Sequence, residues 1–500
     1  MTPSNVVTQV PDLLSSTLVY GHFTSIHPGH IRYLLHAKEL GEPLVIALIG
    51  DQDDNFQFSQ ADRCQSLQLL NIADYILLLP GRAFDNIITS LKPLHLVLGT
   101  EHKSTSDRYI LDAVNEAHSI GCKTQYHAGD SHYVNTSLLS KDQHSIKDIR
   151  IQQFNEACRR QGILHDRISE CLTTWPDLSI AVIGDTIIDQ YSACEPLGLS
   201  AEAPVVVVKE LEQRNYIGGA SIVAAHLRSL GPRVHYLSVV GNDENSNILR
   251  DELDSLGISS HLYIDHTRPT TFKKRYVVGS QKLFRVSRLD DSYLSESAET
   301  HIIQSLTNIA PTINALILSD FVYGVLTPSI KKHCINLSQE YGFELYGDVQ
   351  CSSQVGSFLG LKGFTLLTPN EREARLSLQD KDSGIERIAN QILHTTTPRY
   401  LCMKLSQDGF IAYDASNSTN IIKQAFPALN PNPVDVAGAG DSMLAAYAAS
   451  ISSGLNFMEA SAVASCMASI AVDRMGNIPI AASLLKSSLA DLFDTNPSAR

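Results

Sequence analysis

One tryptophan occurs in 500 residues, and none of the nine cysteines forms a CxxC pair. The cysteines stand at 64, 122, 158, 171, 194, 334, 351, 402 and 466, too scattered for a zinc site or a disulfide framework. That usage fits a reduced, cytoplasmic setting. Basic residues are the minority: 39 Lys and Arg against 53 Asp and Glu give a formal net charge of -14. Nucleic acid is held chiefly by Lys and Arg on its phosphates, so a nucleic-acid partner is disfavoured. A small anionic substrate stays compatible, because a local site can be positive on an acidic protein. No apolar run reaches membrane-spanning length, and residues 1–10 lack a basic segment followed by an apolar core. Neither a membrane span nor a secretion signal is expected. Short-period repeats and low-complexity tracts are lacking too.

What is present divides into three parts. Residues 1–145 read as a small α/β domain. The apolar stretch 17–20 predicts a strand, and 31–40 has helical spacing with Leu34, Leu35 and Leu40 toward a core. Gly41 is the expected C-cap glycine. The runs 44–49, 75–79 and 94–98 predict strands buried on both faces. Strands alternating with helices imply a parallel, doubly wound sheet. Residues 146–176 are polar with scattered apolar positions (Ile146, Ile149, Phe154, Ile163, Ile168) and predict a helical linker ending before Pro176. Residues 177–500 predict a second, larger α/β domain. Its strand candidates are 179–184, 234–240, 315–318, 364–367 and 400–403. The β-branched, polar stretches 204–209 and 271–288 predict antiparallel strands projecting from the main sheet. The small-residue segment 443–451 predicts a buried helix.

Two phosphate-handling patterns lie at opposite ends of the chain. The first is Gly21-His22-Phe23-Thr24-Ser25-Ile26-His27-Pro28-Gly29-His30, an HxGH sequence between a predicted strand and helix. With 18 His and 29 Gly in 500 residues, a chance HxGH is rare. Backbone N–H groups and the dipole at a helix start favour an anion. Two imidazoles there can donate to a pentavalent phosphorus as charge builds on its oxygens.

This segment resembles the cytidylyltransferase-like nucleotidyltransferases, in their sugar-phosphate branch, over residues 16–140. Lys38-Glu39-Leu40-Gly41, Asp51 and Arg63 add to the likeness. The resemblance implies a Rossmann-like domain that binds a nucleoside triphosphate (ATP, CTP or GTP) with Mg²⁺ and releases pyrophosphate. It also implies that His27 and His30 stabilise the transition state. Gly21, Phe23, Lys38, Asp51, Asn135 and Thr136 would bind the nucleotide. The chain departs from the family pattern at three places. Thr24 stands where Asp is usual, residues 52–60 contain no Lys, and the late phosphate turn reads Val134-Asn135-Thr136-Ser137.

The second pattern is Asp435-Val436-Ala437-Gly438-Ala439-Gly440-Asp441, before a small-residue helix. Gly438, Ala439 and Gly440 let the backbone approach a phosphate and form an anion hole. Asp441 can take the proton from an attacking hydroxyl. Gly218-Gly219-Ala220 opens another helix. Asp185 and Asp189 follow the domain's first strand, where polar side chains can grip sugar hydroxyls. Asn370 and Glu373 follow a later strand and can organise Mg²⁺ and phosphate through water. A surface carboxylate for Asp189 and a helix N-terminal acid for Glu373 are the plainer readings.

Residues 178 to about 490 resemble the ribokinase/phosphofructokinase-B family of sugar kinases. The matches are collinear: Gly184-Asp185, Gly218-Gly219, Gly241-Asn242-Asp243, Thr368-Pro369-Asn370 and the terminal GAGD. The resemblance implies a ribokinase-like fold with a β lid, ATP and Mg²⁺, and Asp441 as base. Asn370 and Lys404 would lie at the nucleotide, and Glu373 near the metal through water. Asp185, Asp189, Gly218, Gly219 and Arg275 would hold the sugar. The lid often makes a homodimer contact. Within the family the likeness is to heptose-phosphate kinases, carried by Asp185-Thr186-Ile187-Ile188-Asp189-Gln190-Tyr191, Ser200-Ala201-Glu202-Ala203-Pro204-Val205 and Leu318-Ser319-Asp320. Those are often fused, kinase first, to a nucleotidyltransferase, making nucleotide-activated heptose for lipopolysaccharide or related glycans. Here the order is reversed. Ile222, Tyr323 and Gln350 replace the subgroup's Asn, Lys and Lys, leaving Lys273, Lys274, Arg275, Arg285 and Arg288 as sources of positive charge.

A bifunctional sugar kinase and nucleotidyltransferase leads. A sugar kinase whose first domain is a nucleotide-binding or assembly module without turnover is the alternative. A scaffold without catalysis would leave Asp441 and both glycine turns idle.

Overall fold

The continuous apolar runs form strands whose alternate side chains enter two separate cores, one on each face of a sheet. The computed structural model describes all residues except 1–5, 9, 11, 12, 14, 24, 25, 27, 42, 52–57, 100, 101, 103, 104, 106, 128–142, 201, 203, 204, 280, 351–355, 419 and 495–500. The chain forms two compact units: residues 1–146 with 378–391, and residues 147–377 with 392–500. Among the described residues no helix is long and apolar enough to cross a membrane.

The first unit carries six parallel strands. Their spatial order is Val6–Val7, Tyr75–Leu78, Leu44–Leu48, Thr17–Gly21, His95–Gly99, Lys123–His127. Leu18 faces a core with Val45, Phe84 and Ile110, while Val19 faces another with Leu34, Ile46 and Leu67. Thr17–Gly21 has the next strand on one side and a later strand on the other. Chain direction across the sheet therefore reverses at its C-terminal end, the place where α/β sheets bind ligands. The Pro28–Leu40 helix starts just beyond it. Gly41 ends that helix through its N–H on the Lys38 carbonyl at 3.3 Å, but without the left-handed backbone of a C-cap glycine. Its Cα instead packs near Thr17 Oγ1.

The second unit carries nine strands in the order Ser259–Asp265, Arg233–Gly241, Ser179–Gly184, Ala315–Asp320, Glu344–Val349, Leu366–Leu367, Tyr400–Lys404, Phe410–Asp414, Ile422–Phe426. Only the last two pairings are antiparallel, so Phe410–Asp414 alone runs against the rest. The helix Ala439–Ser452 is buried along nearly its whole length, and its alanines allow close packing against Phe457–Ala471 and Ala220–Leu230. The helices Gln143–Arg160 and His165–Cys171 pack Phe154, Ile163 and Ile168 into the same core as Trp175. Pro176 sits inside the 3-10 turn Trp175–Asp177.

A separate four-stranded sheet projects as a lid, in the order Gln281–Arg288, Phe272–Val278, Thr186–Leu199, Val206–Gly219. It is larger than the pattern predicted, and one pairing differs. Thr186–Leu199 is itself a long strand, and Phe272–Val278 runs parallel to it. The remaining two pairings are antiparallel.

Candidate active sites

In the first unit, Gly21 ends its strand and Phe23 follows with φ 47, a left-handed value that costs energy for a side-chain-bearing residue. The Phe23 ring lies 5.2 Å from the His30 ring, centroid to centroid. A Cβ on Gly21 would come within 3.1 Å of the Phe23 ring. Gly21, Phe23 and His30 therefore meet at the helix start. His30 is buried, and its helix is pinned by Tyr33, whose hydroxyl donates to the Val97 carbonyl at 2.6 Å. His27, Asn135 and Thr136 lie outside the described residues.

Arg63 shapes the mouth of this site. Its guanidinium is wholly buried and donates to the His22 carbonyl at 2.6 Å, the Ile49 carbonyl at 2.9 Å and the Phe58 carbonyl at 3.2 Å. It also pairs with Asp51 Oδ1 at 2.6 Å. Asp51 accepts the Gln60 N–H at 2.8 Å as well. That amide, with Arg63 behind it, holds the Asp51 carboxyl below the usual carboxylate range. The Asp51 carboxylate, expected at the nucleotide, thus ties loops together. Lys38 does not join the group either. Its ammonium bonds the Ile72 carbonyl at 2.9 Å and pairs with Asp74 at 3.6 Å, where strands begin rather than end.

In the second unit the GAGD turn has the geometry of an anion site. Gly438 has φ +79 and caps the helix, whose first N–H groups have no carbonyl inside the helix to bind. A Cβ on Gly440 would lie 3.1 Å from Lys404 Nζ, so the ammonium rests against the turn. Lys404 donates to Asp348 Oδ1 at 2.8 Å, and the Thr368 hydroxyl donates to the same atom at 2.7 Å. Asp348 is buried, and its Oδ2 has no hydrogen-bond partner among the described residues. Burial lowers the Lys404 pKa, but Asp348 and Glu373 outweigh it and hold the ammonium charged. Asp441 lies in the helix's first turn and accepts from Gln350 Nε2 at 2.9 Å. Burial first, then the charge of Asp348, pushes the Asp441 carboxyl up to about 7, against the pull of Lys404.

Asn370 and Glu373 form a reciprocal cap. The Asn370 N–H donates to Glu373 Oε2 at 2.7 Å, and the Glu373 N–H to Asn370 Oδ1 at 2.9 Å. Asp185 faces inward: its carboxylate accepts the N–H groups of Phe321, Tyr323 and Val325 at 2.8, 3.2 and 3.1 Å. Its pKa is raised by burial and by Asp320. It therefore fastens the 321–325 turn, and its oxygens are taken. Asp189 instead pairs with Arg275. A Cβ on Gly218 would strike Asp189 Oδ2 at 2.6 Å, and one on Gly219 the Asp185 carbonyl at 2.3 Å. Lys273 lies on the same face of its strand as Arg275 and is buried against the rings of Phe321 and Tyr323, its ammonium 5.6 and 5.0 Å from their centroids. Asp435 accepts from Lys282 at 2.7 Å, from the Tyr191 hydroxyl at 2.8 Å and from the Ala437 N–H at 3.0 Å.

Sequence reasoning gave no site role to Asp348, Tyr191 or Asn477. Asp348 had a readable signal, since it ends a buried strand as Asp185 and Asp320 do. Asn477 had none, because it reaches the site from a distant loop.

Comparison with known proteins agrees with the fold. Residues 177–482 match the pfkB family carbohydrate kinases, and residues 18–163 match the cytidylyltransferase-like family. The bifunctional protein HldE of Helicobacter hepaticus is 33% identical over 327 residues, covering 64% of this chain and 64% of that protein. HldE of Pelobacter propionicus is 31% identical over 305 residues, covering 60% and 61%. The matched stretch is thus under two thirds of these relatives' own length. Phosphofructokinase-2 from Escherichia coli, in complex with substrates and products, aligns with TM-score 0.53 and 15% identity over 63% of this chain and 99% of that one, which shows the fold alone. With more than half of its length matched, the chain belongs to the pfkB family of carbohydrate kinases.

Proposed function

We propose that the chain is a bifunctional sugar-activating enzyme. The second unit transfers the γ-phosphoryl group of ATP to a hydroxyl of a sugar or sugar phosphate of the heptose 7-phosphate type. The first unit joins a nucleotide to a sugar 1-phosphate and releases pyrophosphate. The observation that carries the reading is Asp441, a buried carboxylate with its pKa near neutrality, at the head of a helix whose turn holds Lys404.

The acceptor hydroxyl lies against Asp441, which takes its proton as the oxygen bonds to the γ-phosphorus. The bond from phosphorus to the bridging oxygen breaks, and ADP leaves. Lys404 and the first-turn N–H groups hold the charge on the transferring group. A Mg²⁺ ion brought with ATP would supply further neutralisation of phosphate charge. Among the described residues no group of three or more His, Cys, Asp or Glu is set to hold a metal alone. Asp348, whose buried Oδ2 has no hydrogen-bond partner among the described residues, and Glu373 would be the residues to hold the Mg²⁺. Lys273 supports a phosphorylated acceptor: among the described residues it has aromatic faces and no carboxylate pair. In the first unit His30, with His27 beside it in sequence, would bind the α-phosphate of ATP, CTP or GTP.

The alternative reading, a first unit without turnover, draws support from Asp51, whose carboxylate is spent on Arg63 and Gln60. Exposed Leu197, Val206, Leu211, Phe284 and Val286 on the lid support a homodimer through that sheet. A cytoplasmic enzyme without nucleic-acid or membrane partners completes the proposal, with its two modules in the reverse of the usual order.

The test is to incubate the protein with Mg²⁺, ATP and a panel of heptose and hexose phosphates, with CTP or GTP added in parallel. ADP and pyrophosphate are assayed separately. Both products from one sugar support the full reading, ADP alone supports the alternative, and neither refutes both. Asp348→Asn gives a sharper check on the base. Removing this negative charge favours ionised Asp441 and frees Lys404 to attract it, so its pKa falls. The acid limb of kcat/KM is expected to move to lower pH by roughly one unit. An unmoved limb in a folded variant would sever Asp348 from the base.

A further inference from the structure

We infer that Asn477 is a recognition residue for the acceptor hydroxyls of the second unit, contributed by the loop between the helices Phe457–Ala471 and Ala482–Asp494. The inference rests on the kinase reading and adds a specificity determinant to it.

The loop is pinned on both sides of Asn477. Gly476 has φ +81, and a Cβ there would come within 2.7 Å of the Tyr216 ring, so the glycine lies flat on that ring. Tyr216 stands edge-on to Tyr191 at 5.6 Å, and Tyr191 donates to Asp435. Beyond Asn477, the buried Ile480 donates its N–H to His226 Nδ1 at 3.3 Å.

The carboxamide so held spans two parts of the site. Its Nδ2 donates to Asp189 Oδ2 at 3.4 Å and would lie 3.2 Å from a Cβ on Gly218. Its Oδ1 would lie 2.5 Å from a Cβ on Gly438, which places it against the GAGD turn. Asp189 decides the orientation, because a reversed amide would set oxygen against carboxylate. Oδ1 is buried and has no hydrogen-bond partner among the described residues. A buried carbonyl oxygen without a donor is unfavourable unless something fills the place. Of the neighbouring polar groups, the Arg275 guanidinium is already committed to Asp189, and the Asp189 carboxylate and Oδ1 itself are acceptors. The missing partner is therefore a donor, and in an acceptor pocket beside Asp441 that donor is a sugar O–H. Asp189 and Asn477 together suit adjacent hydroxyls, one donating to each.

Steady-state kinetics test this with the phosphorylated sugar that gives ADP in the panel assay and with its monodeoxy analogues. Asn477→Ala is expected to raise KM for the sugar about tenfold or more while KM for ATP stays within about twofold. One deoxy analogue is expected to lose the same factor with the wild type and nothing further with the variant. Asn477→Ser, which restores an oxygen, is expected to regain part of the loss. Unchanged discrimination among analogues in a variant with the wild-type unfolding midpoint overturns the inference. So does a rise in KM for ATP matching that for the sugar. No ADP from the wild type with any sugar removes the kinase reading, and the inference falls with it.

Discussion

Asp441→Asn is expected to lower phosphoryl transfer by about 10²-fold or more and to leave pyrophosphate release by the first unit unchanged. The amide keeps the shape and the contact with Gln350 but cannot accept a proton. The wild type should show kcat/KM rising with pH through about 7, since the carboxylate acts only when ionised and its folded pKa lies there. The variant should lack that limb. The same change is expected to stabilise the protein. Asp441 has a pKa of about 7 when folded, against the ordinary 3.8 of a free aspartic acid side chain. Between those values the unfolded chain releases a proton that the folded one keeps, so stability is lost as pH rises through this window. Asparagine removes that loss. The unfolding midpoint at pH 8 should rise by a few degrees over wild type, and the two should converge near pH 3. A variant less stable at pH 8 would mean that the buried carboxylate is compensated by contacts not described above. Equal damage to both activities would refute two independent sites.

His30→Ala is expected to do the reverse, lowering pyrophosphate release by about 10²- to 10³-fold with ADP formation unchanged. The imidazole sits in the helix's first turn, where the N–H groups already favour an anion. Its own donor adds stabilisation that grows as charge builds on the phosphorus oxygens. Because the ring also packs on Phe23, part of any loss could come from a shifted Phe23. His30→Asn separates the two. It keeps a donor and is expected to fall between wild type and alanine if hydrogen bonding matters, and to match alanine if packing does. Activity within about twofold of wild type in the alanine variant would favour a first unit that binds without turnover.

The features readable in advance were local. A run such as 44–48 declares a strand buried on both faces, because nothing polar interrupts it. The GAGD turn declares itself because only small residues permit its approach to Lys404 and Asn477. Where the reading fell short, a side chain's partner came from far along the chain. Asp185 follows a strand at the ligand-binding end of the sheet, which favours a sugar contact. Yet the amides that claim it belong to residues 321, 323 and 325. Lys38 likewise bonds a carbonyl on the loop into a neighbouring strand. The strand Thr186–Leu199 escaped notice for a different reason. Pro196 and Gly198 interrupt its pattern, and the register shifts at Ala193/Cys194 and Pro196/Gly198 absorb them as bulges.

The clasp on Asp435 bears on how water is kept from ATP. Burial pushes its carboxyl up, but Lys282, the Ala437 amide and the Tyr191 hydroxyl together hold it below the usual range, so it stays charged. Two of those three partners sit on lid strands, and the third belongs to the turn ahead of the Ala439–Ser452 helix. Lifting the lid would withdraw both lid donors from a charge that is almost wholly enclosed, and a half-raised lid would gain no solvation in return. Such a hinge favours two positions over a continuum, lid seated with the turn ordered or lid raised with the turn loosened. On the proposed kinase reading, ATP bound alone would meet an incomplete anion hole, and idle hydrolysis would be suppressed until an acceptor seats the lid.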